Sequence, residues 1–290
     1  MSIIEKAAGK LDQIKTNNLV RPNLVEQAAE RVEKIDVITE IAQEQIHTSA
    51  HSLNPVILDL ARFSQLGGLT PDKKKKQIAE EFRMIKRPII TNAFNLGAGK
   101  IKNGNLIMVT SALAGEGKSF CAVNLAMSIA MEMDHTVLLV DADVASPSIP
   151  KKLGFQAGKG LLDILLDDKL ELADVMVRTN VEKLSILTAG TANPHATELL
   201  ASQSMNRLLG DIAQRYRERI VIFDSPPLLL TTESPVLATK MGQIVLVVEA
   251  DATPQKAVIE ALRHIESCEV VNLILNKFKY SSGAGYYGHY

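Results

Sequence analysis

An apolar run, Leu106–Thr110, leads through Ser111-Ala112-Leu113-Ala114-Gly115-Glu116-Gly117-Lys118-Ser119 into a helical pattern. Few folds can use such a strand–loop–helix join. The glycines let the loop curl so that backbone N–H groups face phosphate oxygens, and the helix N-terminus adds its dipole. Lys118 can reach the β- and γ-phosphates, and the Ser119 hydroxyl can ligate Mg²⁺. Ala112 stands where the usual phosphate-loop pattern has its first glycine. A chance Gly-Lys-Ser at a helix start would reproduce the loop, but not the acidic strand ends described below.

The rest of the chain decides which fold surrounds that loop. From Asn105 onward short, nearly continuous apolar runs recur: Leu106–Thr110, Thr136–Val140, Leu184–Leu187, Ile220–Phe223, Ile244–Val248 and Val271–Leu275. Strands buried on both faces of a parallel sheet read this way. Helical patterns intervene at Ser119–Met131, Thr197–Tyr216 and Pro254–Ser267. The expectation is a three-layer α/β/α fold with a mostly parallel sheet.

Residues 1–76 read differently. Ser2 and Glu5 have capping-box spacing, followed by an apolar stripe through Ile3, Ile4, Ala7, Leu11 and Ile14. A second amphipathic pattern runs from Leu24 to Ile46. A helical N-terminal extension is therefore expected over 1–76, with a core domain over 77–279. Lys73–Lys76 form a basic run that reads as a solvated face, and a helix Gln77–Arg87 should stop at Pro88. His47 and His51 share i,i+4 spacing, but with no third ligand nearby they read as solvated polar positions. Four of the five tyrosines, Tyr280, Tyr286, Tyr287 and Tyr290, fall in a glycine-rich ending over 280–290, which reads as a flexible tail.

Bulk composition excludes more than it selects. A net charge of −1 gives no global field toward nucleic acid or anionic lipid. Two distant cysteines, Cys121 and Cys268, argue against a disulfide framework and for a reducing cytoplasm. The N-terminus has no signal-like apolar stretch, and no apolar run approaches the ~20 residues of a membrane span. Membrane work would require a recruiting partner.

Acidic residues end two of the strands. Thr136–Val140 leads into Asp141-Ala142-Asp143, and Ile220–Phe223 into Asp224-Ser225-Pro226-Pro227. C-terminal strand ends line the ligand crevice of an open parallel sheet. Three carboxylates there can hold Mg²⁺ through water and accept a proton from an attacking hydroxyl. The plainer alternative is that Asp141 and Asp143 merely cap the following turn. After the last strand, Asn276-Lys277-Phe278-Lys279 has lysine where guanine-specific proteins place their base-reading aspartate, which favours ATP over GTP.

Together these segments resemble the bacterial tyrosine kinases of the P-loop type. Met108–Ser111 with Gly115–Ser119 is similar to their Walker A motif, Val137–Asp143 to Walker A′, and Val221–Pro227 to Walker B. Ala189–Pro194 with Glu198–Ser202 resembles the segment such kinases carry before a long helix. Glu80-Glu81-Phe82-Arg83-Met84-Ile85-Lys86 resembles their Glu-x-x-Arg-x-x-Arg oligomerisation helix, with Lys86 replacing the last arginine. The match covers roughly residues 77–290, and its ends look most like the exosortase-associated autokinases of exopolysaccharide operons.

The resemblance implies autophosphorylation. Ala114, Gly115, Glu116, Gly117, Lys118, Ser119, Phe120 and Asn276 would bind ATP, and Ser119, Asp141 and Asp224 would organise Mg²⁺. Lys118, Asp141, Asp143 and Asp224 would be catalytic, with Asp141 or Asp143 taking the tyrosine proton. Tyr280, Tyr286, Tyr287 and Tyr290 would be acceptors in a neighbouring subunit's site. Glu80, Arg83 and Lys86 would build the homo-oligomer. A membrane polysaccharide co-polymerase would recruit the chain to the inner face of the plasma membrane and activate it. Two positions depart from the family pattern: Ala145 replaces a basic residue after Asp143, and Glu249 replaces an arginine after the fifth core strand.

Two other readings share this fold. One is a partitioning or septum-site ATPase, although those carry a signature lysine where this chain has Leu113. The other is a catalytically quiet ATP-binding regulator, which the missing basic residue after Asp143 keeps open.

Overall fold

The computed structural model describes residues 55–71, 76–94, 99–215 and 218–279. The stripes expected over 1–46, His47, His51, Lys73–Lys75, Tyr216 and the four tail tyrosines lie outside them.

Seven strands form one sheet in the order β3-β4-β2-β5-β1-β6-β7. They are β1 (Leu106–Ser111), β2 (Thr136–Asp141), β3 (Val177–Arg178), β4 (Leu184–Leu187), β5 (Arg219–Asp224), β6 (Gln243–Glu249) and β7 (Val271–Asn276). All neighbours run parallel except β3, which pairs antiparallel with β4. The six apolar runs all become strands. The two-residue β3 was not foreseen, being too short to show an alternation.

Ten helices are described: α1 (Leu60–Gln65), α2 (Lys76–Phe94), α3 (Lys118–Ala130), α4 (Ile149–Leu153), α5 (Leu161–Leu166), α6 (Leu172–Val175), α7 (Ala196–Ala201), α8 (Gln203–Arg215), α9 (Glu233–Ala238) and α10 (Gln255–His264). Two apolar cores result. One gathers Met108, Leu138, Val140 and Phe223 with Leu200, Met205, Ile212, Leu237 and Ala261 of the helices. The other gathers Ile107, Val109, Leu139 and Ile222 with Phe63, Phe82, Ile89, Leu125 and Met127. Alternate residues of the same strands point into different cores, which is the three-layer α/β/α arrangement.

Three expectations need correction. Helix α2 does not stop at Pro88 but continues to Phe94. Proline deprives the carbonyl four residues earlier, that of Met84, of its donor; Met84 is 66% exposed, so water can serve instead. Beyond the proline, Ile89 is buried and its carbonyl accepts from Gln243 Nε2 at 3.0 Å, while Asn92 donates to Gln243 Oε1 at 3.1 Å. Tertiary anchors on both sides thus carry the helix across.

The segment expected as one helix over Thr197–Tyr216 is broken at Ser202. This residue turns extended (ψ 167°) and its hydroxyl accepts from Met205 N–H at 3.2 Å, capping the first turn of α8. The break lets Leu200 and Met205 both reach the core. Strand β7, finally, is not buried on both faces. It closes the sheet, and Leu273 and Leu275 are 57% and 59% exposed.

The chain before α2 also reaches the core domain. Val56 N–H donates to Arg178 O at 2.8 Å and Val56 bridges in parallel to Thr179. Asp59 caps α1 by accepting from Arg62 N–H, and Phe63 of α1 is buried against Phe120 of α3, ring centres 6.2 Å apart. Leu69 N–H donates to buried Asn124 at 2.7 Å. The last two contacts back α3, the helix that leaves the phosphate loop.

Candidate active site: a phosphate loop facing three strand-end carboxylates

The strand order places the site. β5 lies between β2 and β1, and β1 between β5 and β6, so loops from their C-terminal ends converge at one point. Asp141 stands in register with Asp224 across β2 and β5, and Val109 with Asp224 across β5 and β1. Residues in register on parallel strands project to the same face, so the two carboxylates meet beside the loop that β1 feeds.

Gly115 and Gly117 have φ of 88° and 97°, values that side-chain-bearing residues rarely adopt. Gly117 is the N-cap of α3. Ala112, at the first-glycine position, is fully buried in the core with Met108 and Leu246. The turn after Asp224 is fixed by hydroxyls. Thr110 and Ser234 both donate to Pro226 O, at 2.8 and 2.7 Å, and Ser225 donates to Val109 O at 3.3 Å.

Lys118 occupies the centre. Its Nζ donates to Asp143 Oδ2 at 2.6 Å and lies 4.0 Å from Asp224 Oδ1 and 3.4 Å from Ser119 Oγ. Asp224 is fully buried, and neither of its oxygens receives a hydrogen bond. Burial pushes its carboxyl up to about 7, with the nearby Lys118 ammonium and Ser119 hydroxyl pulling back only part of the way. Asp141 rises to about 6, again from burial first, against hydrogen bonds from Ile149 and Ser148. Those two N–H groups both donate to its Oδ2 at 3.0 Å, whereas Oδ1 is buried without a partner. Asp143 uses Oδ1 for Ser146 N–H at 3.2 Å and Oδ2 for Lys118.

The turn-capping alternative is therefore half of the answer. One oxygen of Asp141 and one of Asp143 hold the turn toward α4, which aims the other oxygen into the site. Three buried carboxylate oxygens without hydrogen bonds (Asp141 Oδ1 and both of Asp224), beside the Ser119 hydroxyl, form a hard oxygen set suited to Mg²⁺. Among the described residues, no three carboxylate, imidazole or thiol side chains converge closely enough to hold an ion alone. Phosphate oxygens and water would have to complete such a shell.

Other expected residues fall in different places. Asn276 at the end of β7 sits behind the loop, its amide donating to Glu116 O at 2.8 Å. The Phe120 ring turns away from the loop onto Phe63. On α2, Glu80 and Arg83 are exposed and paired with each other. Lys86 is not displayed beside them. It is buried, donating to Ser128 O at 2.7 Å and pairing with Glu132 at 2.6 Å, so its charge is spent within the subunit. Of the three residues expected to build the homo-oligomer, Lys86 is thus the one that faces α3 rather than solvent. Sequence reasoning missed Thr253 and Lys277, which support the loop from behind; only the Asn-Lys pair after β7 hinted at them.

Comparisons with known proteins agree with this geometry. The family profile described as "ParA: NUBPL iron-transfer P-loop NTPase" matches residues 102–273. The tyrosine-protein kinase YwqD of Bacillus subtilis (strain 168) is 33% identical over 186 residues, covering 63% of this chain and 77% of that protein. The tyrosine-protein kinase CpsD of Streptococcus agalactiae is 30% identical over 194 residues, covering 65% and 82%. The crystal structure of the chimerical protein CapA2B2 superposes with a TM-score of 0.59 at 26% identity, covering 72% of this chain and 96% of that one. Phosphate loop, paired acidic strand ends and these relatives lead to one conclusion: the chain belongs to the bacterial tyrosine kinases, within the ParA-type class of P-loop NTPases.

Proposed function

We propose that the chain is an ATP-dependent autokinase that phosphorylates the tyrosines of its C-terminal tail between subunits, and that this regulates exopolysaccharide synthesis or export. The observation that carries the reading is Lys118 held between Asp143 and Asp224 in a pocket where oxygens of Asp141 and Asp224 receive no hydrogen bond. Such a pocket suits a polyanion and a divalent cation better than it suits water.

ATP phosphates would lie on the N–H groups of residues 114–119 and draw Lys118 away from Asp143. Mg²⁺, held through Ser119, Asp141 and Asp224, would neutralise charge on the β- and γ-phosphates. A tyrosine oxygen then attacks the γ-phosphorus as the bond to the β-phosphate oxygen breaks and ADP leaves. The phenolic proton passes to Asp141 or Asp143. Most of the acceleration in such a reaction comes from alignment and charge neutralisation, which rigid strand ends supply.

Glu80 and Arg83, exposed on α2, would contact the adjacent subunit, bringing a neighbour's tail to the site. No helix among the described residues is long and apolar enough to cross a membrane. By the resemblance to the polysaccharide-linked tyrosine kinases, the chain would work at the inner face of the plasma membrane, recruited there by a polysaccharide co-polymerase.

The test is phosphotyrosine formation in the purified protein with Mg-ATP, with and without the co-polymerase's cytoplasmic segment. Signal should appear in the intact chain and vanish in Lys118→Met and in a truncation before Tyr280. ATP hydrolysis without phosphotyrosine under both conditions would point to a partitioning-type ATPase, and binding without turnover to a quiet regulator.

A further inference from the structure

The phosphate loop is gripped from behind by the ends of β6 and β7. The Lys277 ammonium donates to Gly115 O at 2.8 Å and pairs with Glu249 Oε2 at 2.8 Å. The Asn276 amide donates to Glu116 O at 2.8 Å and packs so closely under Gly117 that a Cβ there would lie 2.1 Å from its Nδ2. The Glu116 side chain folds back into the brace. It is buried, accepts Leu113 N–H at 2.6 Å through Oε2, and accepts the Thr253 hydroxyl through Oε1. Thr253 Oγ1 in turn accepts Glu249 N–H at 3.1 Å. Loop residues Gly115 and Glu116 are thus bonded to the β6 and β7 ends, and Gly117 leaves no room for a side chain above Asn276.

The direction of these bonds matters. A phosphate cradle works when its N–H groups face the ligand, which requires the intervening carbonyls to face away. The two carbonyls of Gly115 and Glu116 are the ones taken by Lys277 and Asn276. Lys277 itself holds φ of 59°, a left-handed value uncommon for a residue with a side chain. Such a conformation persists where surrounding contacts over-determine it. Glu249, which departs from the arginine of the family pattern, has a clear place here: it is the anion that orients the Lys277 cation.

We propose that Lys277, held by Glu249, is a positioning residue that sets the phosphate loop for nucleotide before nucleotide arrives. This rests on the nucleotide-binding reading above and adds to it the device that pre-forms the cradle. Without the cation, the Gly115 carbonyl loses its anchor and the loop samples conformations that do not hold phosphate. Nucleotide then binds more weakly, mainly because it leaves faster. With the chain once saturated, the chemistry at Asp141, Asp143 and Asp224 is untouched.

The experiment uses the full chain and a fluorescent ADP analogue with Mg²⁺, with dissociation followed by stopped flow. Lys277 and Glu249 are partly exposed, so Lys277→Met should weaken binding about five- to tenfold, a charge-assisted hydrogen bond discounted for solvent. Lys277→Arg, which keeps a cation near both oxygens, should recover most of that loss. Glu249→Gln should cost about two- to threefold alone and less in the Lys277→Met background, because the two act as a unit. In the kinase assay, KM for ATP should rise with kcat little changed.

Unchanged affinity and dissociation rate in Lys277→Met overturn the inference. So does a loss that Lys277→Arg fails to recover and that tracks a fall in melting temperature without nucleotide. If Lys277→Met does not fold, Glu249→Gln decides by hydrogen exchange of residues 112–119: faster exchange supports the brace, and unchanged exchange removes it. A wild-type chain that binds no nucleotide would instead defeat the underlying reading of the site.

Discussion

Strand ends on the two sides of the phosphate loop are built on opposite terms. On the β2 and β5 side, Asp141 and Asp224 are fully buried and leave three oxygens without hydrogen bonds. On the β6 and β7 side, Glu249, Thr253, Asn276 and Lys277 are partly exposed and paired with one another or with the loop. Both sets end strands of one sheet and flank one loop. The first keeps buried carboxylate oxygens without hydrogen bonds around the Lys118 ammonium; the second spends its polar groups on holding the loop. Function is thus separated from support by burial and hydrogen-bond satisfaction rather than by residue type.

Removing a buried carboxylate should have the largest effect. Asp224→Asn should lower phosphotyrosine formation by two orders of magnitude or more, in line with losing one preorganised charge at a phosphoryl-transfer site. The same substitution should stabilise the nucleotide-free chain. A carboxyl raised from its ordinary value to about 7 contributes stability at low pH that is lost as pH rises through 7. Asp141 behaves likewise through about 6. Stability of the free protein, read as melting temperature, should therefore fall between pH 5 and pH 8, by at most roughly 4 kcal/mol across both groups. Mg-nucleotide affinity, which needs the ionised forms, should climb over the same range. Asp224→Asn should flatten the upper part of the melting curve; a free protein whose stability rises with pH there would erase the contrast between the two sides.

A smaller effect sharpens the same contrast on helix α2. Lys86→Met removes a buried ammonium from Ser128 O and Glu132, and should cost about 1–2 kcal/mol, read as a drop in melting temperature. Glu132, whose carboxyl is held below its usual range chiefly by its Lys86 hydrogen bond, should titrate nearer the ordinary value. Arg83→Ala should leave stability nearly unchanged, since its pair with Glu80 is solvated, and act on assembly size in light scattering. Equal effects of the two substitutions on assembly would mean that Lys86 reaches a neighbour after all.

Much of this was legible in the sequence. Continuous apolar runs marked all six parallel strands, five of them because burial on both faces leaves little room for polar residues, and β7 although it lies exposed at the sheet edge. The phosphate loop and the acidic strand ends were equally plain, since the glycine-lysine-serine loop follows one apolar run and three aspartates follow two others. What escaped depended on partners distant in sequence. Pro88 is tolerated inside a helix because Met84 faces water and Gln243 anchors the next turn. Lys86 looks like a surface residue until Ser128 and Glu132 are seen beside it, 42 and 46 positions away. Lys277 and Thr253 serve the loop from more than a hundred residues downstream, a relation that no local pattern encodes.

The central claim is that one subunit's carboxylates and lysine act on another subunit's tail, and a mixing experiment tests it most directly. One chain carries Lys118→Met with its tail intact; the other keeps Lys118 but ends before Tyr280. Each alone with Mg-ATP, and with the activator segment if the intact chain requires it, should give no tail phosphotyrosine. Mixed, they should place phosphotyrosine on the Lys118→Met chain. An intact chain that labels while the mixture stays silent would contradict transfer between subunits, and labelling of the Lys118→Met chain alone would contradict the site itself.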